Sequence, residues 1–144
     1  FYLRKELNKK DLLNYIIVQV ISGLMAVISV HYIFQIELFQ ISTNIRGEIP
    51  LLISEIIATF GLVLTILLIR KNDEKSVAMG VALFITAGYW FTSSTSFANP
   101  AVTISRVFTD TFTGIAPDSL LYFICGQVAG CIIANYTFNI FDKK

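Results

Sequence analysis

Four long apolar stretches separated by short polar segments limit what this chain can fold into. They run over residues 12–34, 50–69, 76–92 and 119–141. Charged residues make up only 15% of the sequence, whereas a soluble domain has about 25%. An apolar helix of about 20 residues is long enough to cross the hydrocarbon core of a bilayer. We therefore predict an all-α membrane protein with four transmembrane helices, and a lipid bilayer as its first partner.

Charge and the reactive side chains exclude several other classes. The net charge of +1 gives no indication of nucleic-acid binding. Cys125 and Cys131 are six positions apart on one apolar stretch and face different directions, so we interpret both as packing residues. We interpret His31, the sole histidine, as structural because it stands at the end of the first stretch. No metal, no cofactor and no nucleophile–base pair is expected, so the sequence does not predict an enzyme.

The triplet Asn99-Pro100-Ala101 opens a short helical pattern that runs to about residue 108. Asparagine is a good helix N-cap, and proline is favoured at the first helical position. At 1.5 Å rise per residue such a helix is too short to cross a bilayer of roughly 30 Å. Between true spans it is expected to be a re-entrant half-helix. Irregular backbone at that depth must be buried in protein or line water, so the triplet predicts a pore or a buried site.

Glu55 lies inside the second apolar stretch, where an ionisable group must face the protein interior or water. Two interpretations follow from this position. In the structural one, the carboxylate accepts hydrogen bonds from buried loop N–H groups. In the functional one, it is a proton or ion site of a coupled transporter. The structural interpretation is favoured.

The triplet, placed after a span rich in small residues and before a last span, resembles the second Asn-Pro-Ala box of the aquaporin and glycerol-facilitator family, the major intrinsic proteins. Residues 15–20 also echo residues 123–128, as expected of internal repeats. The resemblance implies an inverted-repeat bundle in which these are the third to sixth of six spans. Residues 12–34 would end the first repeat, and residues 50–141 would form the second, with the half-helix at 100–108. The chain would then be a single channel domain that is incomplete at its N-terminus. Family members are typically homotetramers.

The resemblance also assigns site residues. Asn99, Pro100 and Ala101 would stand at the pore centre, with Glu55 as the support of their loop. The positions implied for the selectivity filter are Ala87, Ser96 and Val102. Most family members have arginine directly after the triplet, so this filter would be wide and uncharged. Asn-Pro-Ala-Val also resembles a microbial branch associated with arsenic resistance, which is thought to pass uncharged arsenic species.

Arg106 follows Val102 by four residues and shares its helical face. It can snorkel to the outer interface, or it can reach the pore mouth in place of the missing filter arginine. The snorkelling alternative is favoured.

The expected function is a passive channel for water and small neutral solutes such as glycerol-like polyols. An ion- or proton-coupled transporter that uses Glu55, and a non-conducting fragment or subunit, are the alternatives. Basic residues number four before the first span, then one, three, one and two in successive connections and the tail. The positive-inside rule therefore places both ends of the chain in the cytoplasm of a cell-membrane protein. The half-helix would enter from outside.

Overall fold

A computed structural model describes residues 1–142 of the chain as an all-helical fold. The helices are α1 (Lys9–Ile33), α2 (Ile49–Asn72), α3 (Val77–Phe91), α4 (Pro100–Ser105) and α5 (Leu120–Asp142). Short 3₁₀ turns occupy Glu74–Ser76, Arg106–Phe108 and Pro117–Ser119. Within the described residues there is no strand, so the predicted all-α class is confirmed. The short helix α4 and the turn behind it together cover the predicted half-helix, residues 100–108.

Three of the four predicted spans are long and apolar enough to cross a membrane by length and composition: Lys9–Ile33, Ile49–Asn72 and Pro117–Asp142. The remaining one is α3, whose 15 residues make it shorter than predicted. At 1.5 Å per residue α3 is about 22 Å long. It ends because Thr92 takes an extended conformation, and the Thr92 hydroxyl donates to the Gly88 carbonyl at 2.7 Å. The polar residues that follow belong to the loop before α4.

The closest helix crossing joins α2 and α5, and glycines make it possible. A Cβ atom on Gly130 would lie 2.5 Å from the Ile56 carbonyl oxygen and 2.9 Å from the Phe60 nitrogen. One on Gly126 would lie 2.9 Å from the Leu52 carbonyl oxygen. These neighbours are backbone atoms, which cannot move aside like a flexible side chain. The small-residue pattern of the last span therefore brings the two backbones into direct contact.

One end of the bundle contains the N-terminal segment, the end of α5 and the connection between α2 and α3. The Arg4 side chain donates to Asn139 at 2.9 Å, and Lys71 pairs with Asp142 at 2.7 Å. These contacts join the N-terminal segment to α5 and the end of α2 to the same helix. The basic segments before α1 and after α2 therefore lie on one side of the molecule.

The other end of the bundle contains the loop after α1 and the loop after α4, the two connections with few basic residues. The Ser42 N–H donates to the Val107 carbonyl at 2.8 Å, which joins the loop after α1 to the loop after α4. This division agrees with the alternation of basic residues along the sequence. Lys143 and Lys144, which complete that count, lie outside the described residues.

Candidate functional site

The loop between α3 and α4 adopts a backbone that residues with a Cβ atom rarely take. Thr95, Ser96 and Ala98 have φ values of 63°, 48° and 47°. Each residue held in this left-handed region costs on the order of 1–3 kcal/mol. The surrounding structure must therefore hold the loop in place.

The Glu55 side chain holds the loop between α3 and α4 in place. Its carboxylate is fully buried and accepts four hydrogen bonds. Two come from the backbone, from Phe97 N–H to Oε1 and from Ala98 N–H to Oε2, both at 2.9 Å. The Ser94 hydroxyl donates to Oε1 at 2.6 Å, and Gln127 Nε2 donates to Oε2 at 2.8 Å. This is the pattern of contacts that the structural interpretation of Glu55 predicts.

Gln127 extends this network to the half-helix. Its amide nitrogen donates both to Glu55 and, at 2.8 Å, to the Thr103 hydroxyl. Thr103 in turn donates to the Asn99 carbonyl at 3.0 Å. The side chains of α2, α5 and α4 are thereby joined behind the loop. Sequence analysis missed this role of Gln127, although its position in the echo between the first and last spans was a signal.

Asn99 caps α4 as the sequence predicts. Its Oδ1 accepts from the Ala101 N–H at 2.8 Å, and Pro100 occupies the first helical position. Its Nδ2 donates one hydrogen to Gln19 Oε1 of α1 at 3.1 Å. The side chain is half-buried. The second Nδ2 hydrogen has no partner among the described contacts.

The three residues assigned to the filter have different surroundings. Ala87 is exposed and Val102 is half-buried. Ser96 is buried, and its hydroxyl has no hydrogen-bond partner in the described chain. That hydroxyl packs so closely beneath Gly88 that a Cβ atom there would lie 2.7 Å from it. The filter roles of Ala87, Ser96 and Val102 stay predictions.

Arg106 turns toward the protein, which differs from the favoured snorkelling interpretation. Its guanidinium donates to the Tyr89 hydroxyl at 3.0 Å and to the Thr113 carbonyl at 3.2 Å. Its Cζ lies 4.4 Å from the centre of the Phe97 ring. The aromatic face and the two acceptors replace the water that a snorkelling side chain would seek.

Arg46, in the loop between α1 and α2, is a site residue that sequence analysis missed. Its Nη1 donates to the Ser94 carbonyl at 3.1 Å and to the Thr95 hydroxyl at 3.3 Å. Its Cζ lies 5.3 Å from the centre of the Phe97 ring. The side chain is only 8% exposed. The one signal in the sequence was that Arg46 is the lone basic residue of its connection.

The surroundings of Arg46 also affect its charge. Burial lowers the pKa of the Arg46 guanidinium, and the positive charge of Arg106 lowers it further. The carboxylate of Glu55 acts in the opposite direction. An arginine still remains protonated, because its ordinary pKa lies far above neutral pH. Two cations thus face the same aromatic ring.

A cavity of about 540 Å³ opens beside Arg106, between the end of α1 and the loop that contains Thr109, Thr111 and Thr113. His31 belongs to its wall and is itself buried. The His31 ring contacts the Leu38 carbonyl through Nδ1 at 3.0 Å and the Thr109 hydroxyl through Nε2 at 2.8 Å. These contacts join α1 to the loops at this end of the bundle, in keeping with a structural histidine.

The chain was compared with known proteins. Over 134 residues it is 40% identical to Aquaglyceroporin AqpS of Rhizobium meliloti (strain 1021), an alignment that covers 93% of this chain. It spans 58% of the length of that relative. No family model and no solved structure matches the chain. Taken with the apolar helices, this similarity points to the aquaporin and glycerol-facilitator family, the major intrinsic proteins, a channel family that is not enzymatic.

Proposed function

We propose that the chain forms part of a passive transmembrane channel for water and small neutral solutes. The observation that supports this most is the Glu55 carboxylate, which is buried and occupied by four donors of the protein itself. It holds an irregular loop and the Asn99 cap inside a bundle of apolar helices. Backbone of this kind is tolerated at membrane depth where protein or a water-filled path surrounds it.

The same carboxylate argues against the coupled transporter. A coupling group must gain and lose a proton or an ion during each cycle, which requires access to water or to the substrate. Glu55 is 0% exposed, and two of its donors are backbone N–H groups of the loop. Protonation would remove an acceptor from that loop and disturb its left-handed backbone. A fixed structural role therefore explains the contacts better than a titrating one.

The solutes follow from the residues that we assign to the filter. Ala87, Ser96 and Val102 are all small and uncharged, so we propose a wide filter that admits glycerol-like polyols and uncharged arsenic species. Asn99, with one Nδ2 hydrogen left for a passing oxygen, would orient water or a hydroxyl group. The relative AqpS is named an aquaglyceroporin, which supports solutes of the size of glycerol.

We further propose the family arrangement for the whole protein. Residues 12–34 would end a first repeat and residues 50–141 would form the second, with both ends of this chain in the cytoplasm. Helix α1 buries only 6% of its most apolar window within the described residues. Further helices of the channel, or neighbouring subunits of a homotetramer, would cover that surface.

Swelling of proteoliposomes tests the proposal. The full-length protein is reconstituted, and light scattering follows the vesicles after a step in external glycerol, arsenous acid or an impermeant sugar. We expect glycerol and arsenous acid to enter faster than in empty liposomes, and water flux to rise as well. Fluxes of water, glycerol and arsenous acid that all equal those of empty liposomes would contradict the channel.

The width of the filter gives a separate prediction for Val102→Arg. A long cationic side chain at this position would narrow a wide filter, so we expect glycerol permeability to fall about tenfold, equivalent to about 1.4 kcal/mol in the barrier. Water permeability should fall less because water is smaller. Val102→Leu is the matched control because it adds volume without charge. We expect it to lower glycerol permeability less than Val102→Arg does. Equal glycerol permeability in wild type and Val102→Arg would contradict the assignment of Val102 to the filter.

A further inference from the structure

We propose that Arg46 supplies, from the loop between α1 and α2, the guanidinium that is missing after the Asn-Pro-Ala triplet, and that it determines specificity by excluding cations. The inference rests on the proposed channel function and deepens it. A filter lined only by Ala87, Ser96 and Val102 has no charge to oppose cation passage. A guanidinium held beside it would restore such a barrier while leaving the filter wide.

Arg46 and Val102 lie near one hydrophobic cluster. The Arg46 Cζ lies 5.3 Å from the centre of the ring of Phe97, two residues before Asn99. Val102 packs against the hydrophobic cluster that contains this ring. Arg46 from a distant loop and Val102 from α4 therefore both lie beside the cluster of Phe97, Ile115 and Phe123. An arginine at either position would place its charge at this end of the half-helix.

The position of Arg46 is fixed at both its backbone and its side chain. The Arg46 N–H donates to the Ser119 hydroxyl at 2.8 Å. Its Nη1 binds the Ser94 carbonyl and the Thr95 hydroxyl, both in the loop that Glu55 holds. The side chain is therefore pre-organised against the re-entrant loop and cannot swing freely in solvent.

Part of the guanidinium remains free to act on a solute. Only Nη1 of Arg46 donates in the described side-chain contacts, so Nε and Nη2 keep their hydrogens available. None of the fully buried unpaired side-chain atoms of the described chain belongs to Arg46. These two nitrogens are therefore not completely enclosed, although the side chain as a whole is only 8% exposed. In the proposed channel they would donate to the oxygen of water or of a neutral hydroxylated solute.

No direct ion pair neutralises the charge of Arg46, although the Glu55 carboxylate acts on it in the opposite direction to Arg106. Arg106 faces the same Phe97 ring, and within residues 1–142 neither guanidinium forms an ion pair with a carboxylate. Glu55 is engaged by its own four donors. Two like charges in a partly desolvated site create a positive potential that opposes cations and leaves neutral solutes unaffected.

The test compares glycerol and cation fluxes in proteoliposomes of the full-length protein. In Arg46→Gln we expect a rise of about tenfold in potassium flux, which is the effect of one unit charge in a partly screened site. Glycerol swelling of Arg46→Gln should remain faster than that of empty liposomes, which shows that the variant still forms a pore. Arg70→Gln removes an arginine from the opposite end of the bundle and is the matched control. The double variant Arg46→Gln with Val102→Arg should restore exclusion of potassium.

A wild-type channel that passes glycerol, combined with an Arg46→Gln variant that excludes potassium equally well, would overturn the inference. Wild-type protein that passes no glycerol contradicts the proposed function instead, and the two failures are separated by that first measurement.

Arg46→Lys provides a second test for the case in which Arg46→Gln does not assemble. It should exclude potassium at pH 7 and leak as its ammonium loses the proton at alkaline pH, whereas wild type should not change. An Arg46→Lys channel that passes glycerol and has the same potassium flux at pH 7 as at about pH 11, above the ordinary pKa of lysine, would overturn the inference.

Discussion

Glu55→Gln is expected to reduce sharply the amount of folded protein. The carboxylate offers one oxygen to Phe97 N–H and the other to Ala98 N–H, at 2.9 Å each. An amide offers one oxygen and one NH₂ group, so one of these backbone donors would face another donor. Gln127 can rotate away, but the backbone of the loop cannot. Leaving a buried donor unpaired and removing its charged acceptor costs about 3 kcal/mol.

The measurement is the yield of monodisperse protein in detergent, together with its thermal midpoint. Glu37→Gln makes the same chemical change at an exposed position in the loop after α1, and it should leave both quantities unchanged. Normal folding of Glu55→Gln with loss of ion-driven uptake alone would favour the coupled transporter and contradict the structural role.

Gly130→Ala is expected to destabilise the bundle by about 1–3 kcal/mol, because the added methyl group would meet backbone and not a flexible side chain. The Ile56 carbonyl oxygen and the Phe60 nitrogen lie 2.5 and 2.9 Å from the new Cβ position. Helices α2 and α5 would have to move apart. This movement would also separate Glu55 on α2 from Gln127 on α5. We therefore expect a lower thermal midpoint together with slower glycerol swelling.

Val128→Ile is the matched control for this substitution. It also adds a single methyl group to α5, but on the exposed side of the helix. Its thermal midpoint and swelling rate should equal those of wild type. A Gly130→Ala protein with the stability of Val128→Ile would show that the two helices do not cross as closely as described.

Local sequence determined the parts of the site that could be predicted. The cap at Asn99 and the proline after it define the start of α4 within a few consecutive residues. The burial of Glu55 followed from one carboxyl group in a long apolar stretch. The bounds of α3 lie within one residue of the predicted span at each end. The pattern did not reveal the geometry of the loop that follows Phe91.

The contacts that the sequence could not predict are those between distant segments. Arg46 and Ser94 are 48 positions apart, and no periodicity connects them. The direction of Arg106 depends on where the Phe97 ring lies, and that ring is placed by left-handed backbone at its neighbours. Helical spacing predicted one face for Val102 and Arg106, but α4 ends at Ser105 and Arg106 begins a 3₁₀ turn. It did not say that an aromatic face would compete with water for the guanidinium.

The proposed function is tested most directly by the initial rate of labelled glycerol uptake into proteoliposomes of the full-length protein. The rate is measured over a wide range of glycerol concentrations, with and without imposed proton and sodium gradients. A passive channel predicts a rate that rises linearly with concentration and is the same under every gradient. Saturation at modest concentration, or uptake that follows an ion gradient, would contradict the channel and favour a coupled transporter.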